Sequence, residues 1–99
     1  MPIALMTPTF NAVGVSGGVE LTGGFNITIS GVFVGLIIQL ERSFNKGATW
    51  FPVSKDASGV VMTFTTPVSL SGYEYESDVQ YRFNCTGLTS GSALCRLSR

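Results

Sequence analysis

Apolar and polar side chains alternate along several stretches of the chain, as they do in strands that bury one face. The alternating stretches are residues 25–30, 36–44, 60–65, 79–85 and 93–97. In the first of them, Phe25, Ile27 and Ile29 fall on one face and polar side chains on the other. Turn residues separate the stretches, and no segment has the apolar spacing of an amphipathic helix. The pattern predicts an all-β protein: a small antiparallel β-sandwich, Ig-like or jelly-roll in topology, with about seven or eight short strands.

The predicted sandwich occupies residues 24–99 as a single domain, because a chain of 99 residues leaves no room for a second core. Residues 1–23 are weakly specified, since they contain two prolines and four glycines and show strand signals only at 9–15 and 19–21. Two interpretations of this segment stay open: an arm that orders against a neighbouring subunit, or a frayed terminus. Residues 67–77 have the composition of a loop.

Charge is sparse and balanced along the chain, with six basic residues, six acidic residues and no histidine. A neutral chain lacks the basic excess that drives binding to nucleic acid or to a membrane surface. Without histidine, no serine or cysteine has its usual activating base, and the scattered carboxylates lack the spacing of a calcium loop. We therefore expect no enzyme activity, no cofactor and no bound metal. Gly, Ser and Thr make up a third of the chain, which is typical of a surface that packs against other proteins.

The amino-terminal residues show no secretory signal, because no basic segment precedes a long apolar stretch. The longest apolar run, residues 32–38, is interrupted by Gly35. It is far shorter than the roughly 20 residues that a membrane-spanning helix needs. The sequence predicts synthesis and folding in a cytoplasm.

The two cysteines, Cys85 and Cys95, are too far apart in sequence for a CxxC motif. The segment between them reads as a hairpin with its tip near Ser90 and Gly91, which would place the thiols opposite each other on adjacent strands. Two interpretations are open: a cross-strand disulfide, or two reduced thiols that act as small core side chains. The expected cytoplasmic origin favours the reduced thiols.

The run from Ser43 to Trp50 reads Ser-Phe-Asn-Lys-Gly-Ala-Thr-Trp and resembles the Asp-box, in which aspartate stands at the position of Asn45. The pattern predicts that Asn45 folds its side chain back on the backbone, that Gly47 adopts positive φ, and that Trp50 packs under the turn. Asp-boxes recur between the propeller strands of sialidases and do not catalyse there. A single copy in a chain too short for a propeller indicates a structural turn.

Two groups of side chains are candidates for contact with partner proteins. Phe33, flanked by Val32 and Val34, lies between glycines at the expected end of a hairpin, where an apolar tip would insert into a partner. The alternative is that Phe33 covers the core of its own sandwich. Tyr73 and Tyr75 could bring aromatic area and hydroxyl groups to an interface, or belong to an ordinary solvated loop.

Taken together, residues 24–98 resemble small β-sandwich virion proteins of tailed bacteriophages. The runs that carry the resemblance are residues 24–35, 39–50, 81–83, 89–91 and 96–98. The family layout has Asp-Gly where this chain has Asn45 and Lys46, and it lacks the two cysteines. The Trp-bearing turn is its one distinctive motif.

The resemblance implies a capsid decoration or cement protein that binds the major capsid protein and neighbouring copies of itself. It implies a place on the capsid exterior of the virion, after assembly in the cytoplasm of the bacterial host. A homo-oligomer is expected, with trimers suggested by analogy. The alternative is a tail or receptor-binding accessory module of the virion.

Overall fold

The computed structural model describes residues 4–54 and 59–99 and contains strands without helices in those ranges. The strands are β1 (Leu5–Met6), β2 (Thr9–Phe10), β3 (Gly14–Val15), β4 (Val19–Glu20), β5 (Gly23–Val34), β6 (Ile37–Ser43), β7 (Phe51–Pro52), β8 (Thr63–Phe64), β9 (Val68–Glu74), β10 (Gln80–Gly87) and β11 (Ser90–Ser98). They form two antiparallel sheets, which confirms the predicted all-β sandwich class.

Within residues 4–54 and 59–99, each sheet has four strand positions. In the first sheet, β1 and β2 follow one another along one edge beside β11, β5 comes next, and β9 forms the other edge. In the second sheet, β3 and β4 share an edge beside β10, β6 comes next, and β7 and β8 share the far edge. The sheets are held along their middles by the long pairs β5–β11 and β6–β10.

The core lies between the two sheets and is built from the predicted alternation. Inward side chains of β5 and β10 include Ile27, Ile29 and Phe83, all of which are essentially inaccessible to solvent. A T-shaped contact between Phe25 and Tyr81, with ring centroids 5.0 Å apart, joins the two layers near one end of the core. Burial of such side chains is the main stabilising contribution in a sandwich of this kind.

The amino-terminal segment, expected to be weakly specified, contributes strands to its own sandwich over residues 5–20. Within it, Phe10 lies at the core and Leu21, just after β4, is fully buried. The strands are only two residues long, because prolines and glycines interrupt the segment. Residues 1–3, including Pro2, lie outside the described residues.

Two local expectations were wrong. Residues 67–77 contain a regular seven-residue strand, β9, whose alternation is hidden because Gly72 takes an inward position. A Cβ at Gly72 would meet the Phe25 ring at 2.8 Å, so the aromatic side chain fills the space that a β9 side chain would otherwise occupy. In contrast, the predicted strand at 60–65 shortens to Thr63–Phe64, and Val60 is about half exposed.

The expected hairpin around Ser90 and Gly91 was also wrong. The chain crosses from the second sheet to the first between β10 and β11, so Cys85 and Cys95 belong to different sheets. Both thiols are free and buried in the core between the sheets. Burial, and to a smaller extent the nearby Cys85 thiol, together raise the pKa of Cys95 to about 12.

Candidate interaction surfaces

The turn from Ser43 to Trp50 closes on a network of side-chain hydrogen bonds. The fully buried Ser43 hydroxyl accepts a 2.8 Å hydrogen bond from the Gly47 amide and donates one of 2.8 Å to Asn45 Oδ1. Asn45 Oδ1 also accepts a 2.9 Å bond from the Thr49 amide. Gly47 has φ 91°, and Lys46, which sequence reasoning did not single out, has φ 59°. Two consecutive left-handed residues let the Asn45 side chain organise the loop.

Trp50 anchors this turn to the outer face of the second sheet. The Arg82 guanidinium lies 4.4 Å from the centroid of the Trp50 ring, and the ring also covers Gly18, where a Cβ would lie 3.1 Å from it. Arg82 in turn makes a 2.8 Å ion pair with Glu41. Asn84 donates a 3.2 Å hydrogen bond to the other oxygen of that carboxylate. The tryptophan therefore completes a polar, cation–π network and has a structural role.

We expect Asn45→Ala to lower the free energy of unfolding by about 1 kcal/mol, because the Thr49 amide and the Ser43 hydroxyl both lose their partner. Asn45→Asp is the matched control. It keeps the accepting oxygen and should retain most of the stability, losing only the 3.1 Å bond from Nδ2 to Thr49 Oγ1. Urea unfolding monitored by Trp50 fluorescence measures both variants. Equal losses in the two would contradict the assigned role of Oδ1.

The outer face of the first sheet carries large apolar side chains in solvent. Val32 is 87% exposed, Val34 60% and Leu94 52%, and the register places all three on this face. The strands of this sheet include two charged residues: Glu74 points inward and is buried, and Arg96 points outward. The face is therefore nearly uncharged and partly apolar, which is unusual for a surface in permanent contact with water.

Phe33 does not lie at a hairpin tip. Residues 31–34 continue β5 and pair with β11, and Phe33 is partly buried against the hydrophobic core. Among the predicted contact residues of this region, the structure exposes Val32 and Val34. Sequence reasoning missed Leu94, whose outward position follows from the alternation of its strand with buried Ala93 and Cys95.

The two tyrosines lie at the opposite end of the same sheet, Tyr73 on β9 and Tyr75 directly after that strand ends. Tyr73 pairs with Gly24 across β9 and β5, eight residues along β5 from Val32, which corresponds to about 26 Å. Tyr73 is 60% exposed and Tyr75 91%, and their ring centroids lie 4.7 Å apart. The predicted contact residues therefore form two separate groups, at the two ends of one face.

A second exposed aromatic pair, absent from the sequence-based candidates, lies on the second sheet. Phe44 and Phe51 are each about half exposed, and their ring centroids are 6.2 Å apart. The Arg42 guanidinium lies 5.1 Å from the Phe44 centroid. The contact between the two phenylalanine rings can be predicted once β7 is known. Phe51 pairs with Arg42 on β6, and Phe44 is two residues after Arg42.

An ion pair between the sheets closes the tyrosine end of the core. Glu74 of β9 accepts hydrogen bonds from Tyr81 Oη at 2.6 Å and from the Glu76 amide at 3.0 Å, and it pairs with Arg42 at 3.2 Å. Burial by itself raises the pKa of Glu74, but these hydrogen bonds and the arginine charge outweigh it and lower the pKa below the ordinary value of 4.5. Burial and the bond to Glu74 raise the pKa of Tyr81 to about 12.

Residues 4–54 and 59–99 contain no ligand-sized pocket and no cluster of three side chains suited to a metal ion. That part of the chain also has no helix of the length and apolarity needed to cross a membrane. The molecule is thus an all-β sandwich, and its candidate functional features are the exposed apolar and aromatic groups on its surface. No protein-family model, curated protein or solved structure gives a significant match to this chain.

Proposed function

We propose that this chain is a structural protein of a tailed-bacteriophage particle, a capsid decoration or cement protein that binds the lattice of the major capsid protein from outside. The observation that carries the proposal is the outer face of the first sheet, where Val32, Val34 and Leu94 are exposed and where Arg96 is the outward charge among the strands described for that sheet. Covering such a face with another polypeptide is favourable, because it removes apolar side chains from water.

The virion location is supported by the resemblance of residues 24–98 to small virion β-sandwich proteins. A rigid sandwich suits this role because many identical copies on a capsid lattice combine weak contacts into durable binding. The outward face would then bind the capsid, while neighbouring copies contact one another at the edges of the sheets.

Cosedimentation with empty capsids of the phage or prophage that encodes the chain tests this role. We expect the unmodified protein to bind, and the double variant Val32→Ser/Val34→Ser to bind about tenfold more weakly, because two exposed apolar side chains are lost from the contact. Val15→Ser is the matched control: Val15 is 53% exposed but lies on β3 of the second sheet, so binding should not change.

Two results would contradict the proposal. The first is equal capsid binding by the double variant and by Val15→Ser. The second is a copy number in purified virions far below that of the major capsid protein, which would favour a tail or receptor-binding module instead.

A further inference from the structure

In the part of the chain that the structure describes, three of the four sheet edges are built from interrupted strands. The first edge consists of β1 and β2, separated around Pro8, and the edge formed by β3 and β4 is interrupted at Gly17 and Gly18. The edge formed by β7 and β8 consists of two-residue strands, and Pro52 lies within β7. Short strands, prolines and breaks are the usual means by which proteins prevent a sheet edge from pairing with another chain.

The fourth edge, β9 at Val68–Glu74, is a regular strand of seven residues. It pairs with β5 on one side, and among residues 4–54 and 59–99 no strand pairs with its other side. From Val68 to Tyr73 it contains no proline, no lysine and no inward charge. Over Val68–Tyr73 this edge therefore presents main-chain donors and acceptors without the usual protection, and the inward charge at its end, Glu74, is already paired with Arg42.

The inward side chains of β9 also lack complete cover. Val68 and Leu70 pack against the core but remain only partly buried, whereas Ile27 and Ile29, their partners on β5, are about 1% exposed. A further strand beside β9 would extend the first sheet and cover these two side chains. Strand addition of this kind combines main-chain hydrogen bonds with apolar contacts from alternate side chains.

We propose that β9 pairs with β9 of a second copy of this chain, so that the first sheets of two molecules join into one continuous antiparallel sheet. The arrangement is two-fold symmetric, so each copy supplies the same apolar side chains and each covers those of the other. The charge distribution favours the antiparallel direction. Glu74 lies at one end of β9, so antiparallel pairing separates the two carboxylates by roughly 20 Å, while parallel pairing would bring them together.

The site of this pairing is distinct from the surface assigned to capsid binding, because an edge of the sheet is used and not its outer face. The proposal does not depend on a role in a virion. The main-chain donors and acceptors on the outer edge of β9 would be hydrogen-bonded within the dimer. The edges built from interrupted strands would then lie at its periphery.

Sedimentation equilibrium of the purified chain tests the proposal. We expect a reversible monomer–dimer equilibrium, and we expect Ser69→Lys/Ser71→Lys to weaken the dimer at least tenfold. The two positions point outward on β9, and like charges would face each other across the two-fold axis. Thr9→Lys is the matched control, because Thr9 is exposed on the opposite edge of the same sheet. Its dimer should be as stable as that of the unmodified protein.

Hydrogen exchange of the unmodified protein gives a second readout that needs no variant. Amides of β9 that point away from β5 should exchange rapidly in dilute solution and become protected as concentration rises. A chain that stays monomeric at its highest soluble concentration would overturn the proposal. So would an oligomer in which β9 amides stay unprotected, or a dimer weakened equally by the β9 and Thr9 substitutions.

Discussion

Glu74→Ala is expected to lower the free energy of unfolding by about 2–3 kcal/mol. The substitution removes the acceptor of the 2.6 Å hydrogen bond from Tyr81 and leaves the proton of that buried hydroxyl without an acceptor, because the neighbouring Arg42 can only donate. It also removes the partner of Arg42, whose side chain is 39% exposed and can still reach water. We therefore place the loss below the 3–5 kcal/mol typical of breaking a fully buried ion pair. Urea or thermal unfolding at neutral pH measures it.

Tyr81→Phe is the matched control, because it removes only the hydroxyl from the same network. A loss of about 1 kcal/mol is expected for that variant. If Glu74→Ala costs no more than Tyr81→Phe, then the ion pair between the sheets does not stabilise the fold, and the assigned role of Glu74 is wrong.

The same carboxylate gives the stability a dependence on pH. Because the pKa of Glu74 is lower in the folded than in the unfolded chain, the charged form favours the folded state. Its contribution is complete above the ordinary pKa of 4.5 and is lost as pH falls through the lower folded value. The difference in unfolding free energy between the unmodified protein and Glu74→Gln should therefore shrink on acidification below pH 4.5.

Alternation of side chains was enough to predict the long central strands, because a strand between two neighbours must bury one face along its whole length. Residues 25–30, 80–85 and 93–97 all lie in such strands, and Val79 directly precedes β10. At the edges the signal weakens. β9 escaped prediction because Gly72 leaves space for the Phe25 ring, and this reason exists only in three dimensions. Several two-residue edge strands lie within the signals at 9–15, 19–21 and 60–65, but their short extent is set by where they pair with β11, β10 and β6.

The candidate surfaces were predictable only in part, for a related reason. Periodicity assigns Val32 and Phe33 to opposite faces of a strand. It does not determine which of the two faces the core; that follows only once the strand is known to continue past Gly31. The position of the cysteines depended on whether Leu88 and Thr89 turn within one sheet or cross to the other. A short connection permits both, and long-range pairing of β11 with β5 decides it.

Gly91→Ala is the second substitution expected to have a large effect, a loss of about 3 kcal/mol in unfolding free energy. Gly91 has φ 87°, in the left-handed region, and a Cβ there would collide with the carbonyl oxygen of Val32 and approach the Phe33 Cα to 2.7 Å. Both obstacles are backbone atoms of the paired strand β5, so neither can move aside as a flexible side chain would. The substitution should also disturb the exposed positions beside Val32 on which capsid binding is proposed to depend.

Gly24→Ala is the matched control for this prediction. Gly24 lies on β5 of the same sheet, where it pairs with Tyr73. No atom comes within 4 Å of a Cβ built on it, and its φ lies outside the left-handed region. Its stability should be unchanged or slightly raised, because alanine restricts the unfolded chain more than glycine does. The free energies of unfolding of the two variants, measured in urea, distinguish two effects. One is the general effect of replacing a glycine, and the other is the specific clash of a side chain at Gly91 with the backbone of β5. Equal tolerance of both would mean that Gly91 and Val32 do not lie this close in the native protein.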